Sequence, residues 1–378
     1  MIYLDYSATT PTNNEVLDSF NEVSNKYFAN PNSLHKLGVE AKELIDNATN
    51  QIKEILNVKD MDVIYTSGAS EANNLALKGI ALAYQNRGKH IITTEFEHSS
   101  VYSPLSYLTN VGYEIDIVKT DSFGRVDLEN LRELIRDDTI LVSVASVNSE
   151  IGIIQPINEI GEIVKEYPKC FLHVDMTQSM SKIDFSFDNI DLVSFSAHKF
   201  YGIKGIGCLL KNSKIKLIPI IHGGKSTTIY RSGTPATSLI VSISKALRLA
   251  HEKIDEKYKY VETLNNELRN FFDGFDGVEI NSNRYCSPYI LNISVLGIKP
   301  ETFLHALEEK EIYISTQTAC NSSSSLSKGV LSLTKDEIRA KSSLRISLSF
   351  LTTKDEIQKF KEEFSNIYDS LSSLRRQK

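Results

Sequence analysis

A lysine and an aspartate each follow an apolar run that predicts a buried strand. Lys199 comes after the run at residues 190–195, and Asp175 comes after the run at residues 171–174. A lysine amine that is held away from water is nucleophilic and can form a Schiff base. A carboxylate beside a pyridine nitrogen keeps that nitrogen protonated, so that the ring of pyridoxal phosphate acts as an electron sink. The two residues together therefore predict a site for pyridoxal phosphate.

Each of these residues has an ordinary structural interpretation when it is taken alone. Lys199 could be a surface lysine that closes a strand. Asp175 could cap the N-terminus of the next helix, and Thr177 could serve that role too. Because the aspartate and the lysine end two successive apolar strands, the pair favours the cofactor site over either single interpretation.

Further candidates follow other predicted strands. Ala69 and Ser70 open a helix after a strand, where free N–H groups suit a phosphate, although an ordinary turn capped by Ser70 is an open alternative. His98 follows the strand at residues 91–93 and could stack on the cofactor ring or move a proton, whereas a lone histidine is more often structural. Asn148 ends the strand that begins at Ile140, where its amide could bind the phenolic oxygen of the cofactor. A glycine-bearing loop that includes Thr234 suits phosphate as well.

Cys320 lies in a polar, serine-rich stretch, residues 315–325, which predicts an exposed loop. An exposed thiol on such a loop suggests that its reactivity is used. Cys170 and Cys208 lie in apolar strand-like contexts and are predicted to be buried small hydrophobic residues. The four cysteines show no CxxC spacing, so we predict neither a zinc site nor a disulfide framework.

The elements that must position these residues alternate between strand and helix over the first two thirds of the chain. This alternation predicts an α/β fold with a mostly parallel central sheet that is flanked by helices, and ligands bind at the carboxyl ends of such strands. The later part predicts a smaller α+β arrangement. We expect a large cofactor-binding domain at residues 14–248, and a small domain formed by residues 1–13 and 249–378 that carries the Cys320 loop.

Length and charge limit the partners. The chain has 378 residues and a net charge of −6 without long charged blocks, so nothing favours binding to nucleic acid or to anionic membranes. No apolar run approaches the roughly 20 residues that span a bilayer. The first residues lack the basic and apolar regions of a signal peptide, and we expect a cytoplasmic protein.

With these motifs in order, the chain resembles the NifS/IscS-type cysteine desulfurases, which are fold-type I, class V aminotransferase-like enzymes that depend on pyridoxal phosphate. The resemblance covers almost the whole chain, and the opening motif together with the Ser-x-His-Lys segment makes it specific. The matching segments are Tyr3-Leu4-Asp5-Tyr6-Ser7-Ala8-Thr9-Thr10-Pro11, Asn30-Pro31, residues 66–71, Glu97-His98, residues 137–143, residues 148–152, residues 173–179, residues 194–205, residues 231–234, Ala319-Cys320 and residues 342–348.

The resemblance implies a role for each matching residue. Lys199 would bind the cofactor as a Schiff base and later move a proton, His98 would stack on the ring, and Asp175 would pair with the pyridine nitrogen. Gln178 would bind the phenolic oxygen, with Asn148 beside the substrate and the ring. The phosphate would be held by Ala69, Ser70, Ser196 and His198, together with Thr234 from the second subunit of a homodimer.

The resemblance also implies the reaction. Arg345 would bind the carboxylate of L-cysteine, and Cys320 would take the sulfur as a persulfide and leave L-alanine. The long stretch between these two residues resembles the branch that supplies iron–sulfur scaffold proteins or tRNA-thiolation enzymes, so a sulfur-acceptor protein is an expected partner. No resident metal is expected, although Cys320 could briefly contact an iron–sulfur cluster.

Departures from the family pattern leave alternatives open. Lys225-Ser226-Thr227-Thr228 and Ser349-Phe350 differ from the usual family residues. They motivate a second hypothesis, a selenocysteine lyase or another class V lyase or aminotransferase in which Cys320 has no role. A third hypothesis is a paralogue that binds the cofactor poorly and serves as a binding partner, and Lys199 argues against it.

Overall fold

The computed structural model describes residues 1–316 and 326–376, so the predicted loop around Cys320 lies outside the described residues. No helix within these two ranges is both long and apolar enough to cross a bilayer.

Helices and strands alternate along most of the described chain. The strands are β1 Ile2–Tyr3, β2 Met61–Thr66, β3 His90–Thr93, β4 Glu114–Ile117, β5 Thr139–Ala145, β6 Phe171–Asp175, β7 Leu192–Ser196, β8 Gly207–Asn212, β9 Val278–Ile280, β10 Ile290–Val295, β11 Ile312–Tyr313 and β12 Ser343–Ser347. The helices are α1 Asn14–Lys26, α2 Lys36–Ile55, α3 Ala69–Tyr84, α4 Ser99–Asn110, α5 Leu128–Leu134, α6 Ile157–Lys165, α7 Thr237–His251, α8 Ile254–Phe272, α9 Pro300–Glu308, α10 Lys328–Thr334, α11 Glu337–Lys341 and α12 Lys354–Arg376.

A seven-stranded sheet in the order β2-β8-β7-β6-β5-β3-β4 forms the centre of the fold. The pairs β3–β4, β3–β5, β5–β6 and β6–β7 are parallel, and β8 runs antiparallel to both β2 and β7. The predicted α/β fold with a mostly parallel sheet is therefore confirmed. Because parallel strands end at one edge, Asp175 at the end of β6 and Ser196 at the end of β7 lie at the same edge.

Apolar side chains alternate between the two faces of this sheet, as the period of two in a strand requires. Ile91 and Leu141 belong to the core under α3 and α4. Their chain neighbours Ile92 and Val142 belong to the core under α2, α6 and α7. Both faces of the sheet are thus covered, which a mostly parallel sheet requires.

A second core forms around the antiparallel sheet β12-β10-β9. Leu4 from the chain start joins this core with residues of α8, α9 and α12, and Phe272, Phe360 and Phe364 make ring contacts within it. The helices α7 and α8 are separated at Lys253, which adopts a left-handed conformation with φ of 55°. The division of the chain into two domains near residue 248 stays a prediction.

Candidate active site

A cavity of about 510 Å³ lies at the carboxyl ends of the parallel strands. It brings together nine of the twelve residues that the sequence analysis selected. These are Ala69, Ser70, His98, Asp175, Gln178, Ser196, His198, Lys199 and Arg345. Asn148 and Thr234 do not line this cavity, and Cys320 lies outside the described residues.

Lys199 ends a short 3-10 turn, Ala197–Lys199, that directly follows β7. Its Nζ donates hydrogen bonds to the backbone oxygens of Ser7 at 2.5 Å and Ala8 at 2.9 Å. The same N-terminal segment contacts His198, whose Nδ1 lies 3.2 Å from Thr9 Oγ1. Burial lowers the pKa of His198 to about 4, so its imidazole is neutral at neutral pH. The start of the chain thus forms one wall of the cavity.

Asp175 is 5% exposed, and its carboxylate is held by three donors. Oδ1 accepts from the backbone N–H of Thr177 at 2.9 Å and from Thr177 Oγ1 at 2.5 Å. Oδ2 accepts from Asn73 Nδ2 at 2.8 Å. Donors to an ionised carboxylate stabilise its charge, which is what a partner of a protonated pyridine nitrogen needs. The alternative role of Asp175 as a simple cap does not account for Asn73, which the sequence analysis missed.

His98 is the N-cap of α4, and its Nδ1 accepts from the backbone N–H of Ser100 at 3.1 Å. The neutral imidazole therefore carries its hydrogen on Nε2. Burial lowers the pKa of His98, with Lys199 acting in the same direction and Asp175 and Glu150 acting against it. A neutral, flat ring at the cavity wall suits stacking on a heteroaromatic ligand.

The N-terminus of α3 opens into the cavity through Gly68, Ala69 and Ser70. Its N-cap, Gly68, has no side chain with which to bind the first N–H groups. Glu71 of the first turn is held by the backbone N–H of Ser67 at 2.7 Å and by Arg231 Nε at 3.0 Å. The first backbone N–H groups of α3, which no N-cap side chain binds, and the positive end of the helix dipole suit a phosphate.

Arg345 is 1% exposed and also lines the cavity. Its Nη1 donates to the backbone oxygen of Ser149 at 2.9 Å, and its Nη2 donates to Asp5 Oδ1 at 2.8 Å. Its buried Nε has no hydrogen-bond partner among the described residues. A buried, oriented guanidinium with donors to spare is suited to a carboxylate ligand.

Asn148 and Thr234 occupy places that their predicted roles did not anticipate. Asn148 Nδ2 donates to the backbone oxygen of Phe96 at 3.0 Å, and its Oδ1 accepts from the backbone N–H groups of Glu150 at 3.0 Å and Ile151 at 2.7 Å. Thr234 is exposed and lines a neighbouring cavity of about 90 Å³. The contacts predicted for both residues stay predictions.

The described residues on either side of the segment that carries Cys320 bond to Arg345, which lines the cavity, and to Glu150, the neighbour of the lining residue Ser149. Before it, Ser315 and Arg345 exchange backbone hydrogen bonds of 3.1 and 2.6 Å. After it, Ser327 Oγ donates to Glu150 Oε2 at 2.7 Å. The segment therefore leaves and rejoins the described chain beside the candidate site.

The three cysteines in the described ranges have unreactive surroundings. Cys170 and Cys208 are buried, as predicted, and burial raises the pKa of both thiols. Burial also raises the pKa of the Cys286 thiol to about 12. Since the thiolate is the nucleophile, these three side chains are poorly suited to attack a substrate at neutral pH.

Comparisons with known proteins agree with this geometry. The family model for Aminotransferase class-V matches residues 2–360. The cysteine desulfurase IscS of Buchnera aphidicola subsp. Acyrthosiphon pisum is 41% identical over 366 residues, which cover 94% of this chain and 90% of that protein.

Two solved structures show the same architecture. A structure described as a NifS-like protein aligns with a TM-score of 0.91 at 33% identity, covering 98% of this chain and 99% of the other. A structure described as SspA in complex with cysteine aligns with a TM-score of 0.82 at 30% identity, covering 93% of this chain and 100% of the other.

Proposed function

The chain belongs to the class V aminotransferase family, in its NifS/IscS-like group, and we propose that it is an L-cysteine desulfurase. The observation that carries the proposal is the convergence of Lys199, Asp175 and His98 on one cavity that Arg345 also lines. Ser315, five residues before Cys320, exchanges backbone hydrogen bonds with Arg345. The cavity thus combines groups that suit a carbonyl cofactor with an arginine that suits a carboxylate.

Enzymes of this family depend on pyridoxal phosphate, and the described residues fit that group. The free N–H groups of α3 suit its phosphate, and the carboxylate of Asp175 suits its ring nitrogen. The buried Oε1 of Gln178 lines the cavity without a hydrogen-bond partner among the described residues, which fits a polar group of a ligand. When bound, the cofactor supplies an electron sink for negative charge that develops on the substrate.

The side chains that line the cofactor site have distinct roles. The Lys199 amine, held at the backbone oxygens of Ser7 and Ala8, holds the cofactor and moves a proton to and from the substrate α-carbon. The carboxylate of Asp175, held by Thr177 and Asn73, would pair with the ring nitrogen. His98, whose pKa is lowered by burial, would stack on the ring as a neutral imidazole. Arg345 fixes the substrate by its carboxylate.

Sulfur transfer requires a second thiol and no external oxidant. The Cys320 thiolate attacks the sulfur of the substrate, so that an S–S bond forms while the substrate C–S bond breaks. The electron pair of that C–S bond stays on carbon, which takes up a proton and becomes the methyl group of alanine. L-Cysteine and the Cys320 thiol thus give L-alanine and a persulfide on Cys320, and all atoms and electrons balance.

The attachment of the Cys320 segment limits how far the thiol can lie from the substrate. Cys320 follows Ser315 by five residues, and five residues of chain span at most about 18 Å. Ser315 is paired with Arg345, which we assign to the substrate carboxylate. This short tether supports attack by Cys320 on a substrate that Arg345 holds.

The proposal includes partners that the chemistry requires. A persulfide must be passed to an acceptor, for which an iron–sulfur scaffold protein or a tRNA-thiolation enzyme is the expected class. A homodimer would bring Thr234 of a second subunit to the phosphate. We place the reaction in the cytoplasm, because a reducing compartment keeps the Cys320 thiol available between turnovers.

An assay of substrates tests the proposed function. We expect purified holoenzyme to convert L-cysteine to L-alanine, with sulfide released when a reducing thiol is present. Clear preference for L-selenocysteine would favour a selenocysteine lyase instead. Amino transfer that depends on a keto acid would favour an aminotransferase, and either result would reject the proposal.

Replacing Arg345 with lysine should weaken substrate binding. Lysine keeps the positive charge but loses the forked donors, and a hydrogen bond between charged groups contributes about 1.5–3 kcal/mol. We therefore expect KM for L-cysteine to rise about 10- to 100-fold, with a smaller change in kcat. Steady-state kinetics measures both constants. Arg339→Lys is the matched control, because Arg339 binds Asn281 outside the cavity, and an equal rise of KM in that variant would contradict the role of Arg345.

A further inference from the structure

One buried asparagine joins two of the groups that face the cofactor cavity. Asn73 lies on α3, about one helical turn beyond its phosphate-binding N-terminus, and is 0% exposed. Its Nδ2 donates to Asp175 Oδ2 at 2.8 Å and to Ser100 Oγ at 2.9 Å. Ser100 Oγ in turn lies 2.8 Å from His98 Nδ1. A continuous chain of hydrogen bonds therefore runs from the carboxylate to the imidazole.

The chemistry of the donors sets the direction of this chain. An amide nitrogen can only donate, and Asn73 uses both of its hydrogens, one on Asp175 and one on Ser100. Since Ser100 Oγ accepts from Asn73, its own hydrogen is directed to His98 Nδ1. This nitrogen already accepts from the backbone N–H of Ser100. Two donors therefore point at Nδ1, and both favour an imidazole that is unprotonated there.

The other amide atom of Asn73 supports this orientation. Asn73 Oδ1 is buried and has no partner among the described residues, which is uncommon in folded proteins. Rotating the amide would pair neither end better, because Oδ1 would then face the carboxylate oxygen of Asp175. The orphaned oxygen is thus the consequence of committing both N–H groups to Asp175 and Ser100.

Asn73 occupies one of the hydrogen-bond acceptor positions of the Asp175 carboxylate. Two oxygens offer about four lone-pair positions, and Thr177 fills two of them on Oδ1. Asn73 fills one on Oδ2. The described residues leave one position, on the oxygen that Asn73 holds, for the ring nitrogen of the cofactor.

We propose that Asn73 is a positioning residue that couples Asp175 to His98 through Ser100, so that the carboxylate stays aimed at the ring nitrogen while the stacked imidazole stays neutral. The proposal deepens the proposed function and rests on the cofactor site assigned there. Asp175, Lys199 and Glu150 are the charged groups that act on His98. Besides these charged groups, two neutral donors act on His98 Nδ1. They are the backbone N–H of Ser100 and the Ser100 hydroxyl, which Asn73 orients.

Variants distinguish the bond from Asn73 to Asp175 from the link that joins Asn73 to His98 through Ser100. Asn73→Ala removes both hydrogen bonds and lets the Ser100 hydroxyl turn to accept from a protonated His98. Ser100→Ala removes only the link to His98, whereas Ser100→Thr keeps the hydroxyl. Asn74→Ala is the matched control on the same helix, because the Asn74 side chain donates to the backbone oxygen of Ser70 and touches neither Asp175 nor Ser100.

The experiment follows the protonation of His98 in the holoenzyme and does not require turnover. Histidine labelled with ¹³C at Cε1 gives eight signals for the eight histidines of the chain, and the signal lost in His98→Gln is that of His98. Its pKa should rise by about one unit in Asn73→Ala, because donors that favour the neutral form are lost. It should rise less in Ser100→Ala and not at all in Ser100→Thr or Asn74→Ala.

Affinity for pyridoxal phosphate gives the second readout, measured by adding the cofactor to each apoenzyme. We expect a dissociation constant about 10-fold higher in Asn73→Ala, since one charge-assisted hydrogen bond to Asp175 is lost. Ser100→Ala should bind the cofactor as the wild type does. An unchanged His98 pKa in Asn73→Ala, or an equal shift in Asn74→Ala, would overturn the coupling. Because neither readout uses L-cysteine, failure of the desulfurase assay would leave this test intact.

Discussion

Replacing Lys199 with alanine is expected to abolish the visible absorption of lysine-bound cofactor and to lower alanine release from L-cysteine at least about 10³-fold. A positioned acid–base group alone contributes about 10²- to 10⁴-fold to a proton transfer, and Lys199 also holds the cofactor covalently. The Nζ atom lies at the carboxyl edge of the sheet, where the backbone oxygens of Ser7 and Ala8 hold it in place.

Absorption spectra and steady-state kinetics of the purified variant measure the two effects. Lys214→Ala is the matched control, because Lys214 is exposed beyond the end of β8 and does not line the cavity. The control should keep both the absorption band and the activity. A Lys199→Ala protein that retains the band and the wild-type rate would show that another residue binds the cofactor.

Replacing Cys320 with alanine is expected to lower the release of alanine from L-cysteine at least about 100-fold while leaving the absorption of the bound cofactor unchanged. The C–S bond of the substrate breaks when a thiolate accepts the sulfur, and alanine at this position offers no nucleophile. The other cysteines cannot substitute, because burial raises the pKa of the thiols of Cys170, Cys208 and Cys286. The variant should therefore bind cofactor and L-cysteine yet fail to turn over.

Cys286→Ala provides the matched control for this variant, since the same chemical change is made at a cysteine whose thiol pKa is raised to about 12. We expect the control to retain wild-type kinetics when its cofactor content is equal. Release of alanine and sulfide by Cys320→Ala at the wild-type rate would contradict transfer of sulfur to this residue and would favour the second hypothesis, in which Cys320 has no role.

The central sheet could be predicted from the sequence because its signal is local. The parallel strands β6 and β7 are short, mostly apolar runs that end in a polar residue, and the apolar run predicted as a strand at residues 190–195 overlaps β7 in the structure. Lys199 and Asp175 were placed at one edge by the rule that parallel strands end together. The helix α4 was not predicted, and Pro104 inside it is a residue that disfavours helices.

The connections between distant segments could not be predicted, because they depend on how the chain is folded. Asn73 and Asp175 are 102 positions apart, and Asp5 and Arg345 are 340 positions apart, yet each pair shares a hydrogen bond. Nothing in the local pattern around Asn73 distinguishes it from an ordinary helical asparagine. Its only signal is its place on the helix that opens at Ser70, one turn beyond the predicted phosphate site.

Mass spectrometry of the wild-type holoenzyme after exposure to L-cysteine tests the central claim most directly. The protein is digested without reduction, after free thiols and persulfides have been capped, and each cysteine peptide is examined for one additional sulfur atom. We predict that the peptide with Cys320 gains one sulfur and that the peptides with Cys170, Cys208 and Cys286 gain none. Alanine release without added sulfur on Cys320, or added sulfur on another cysteine alone, would contradict the account.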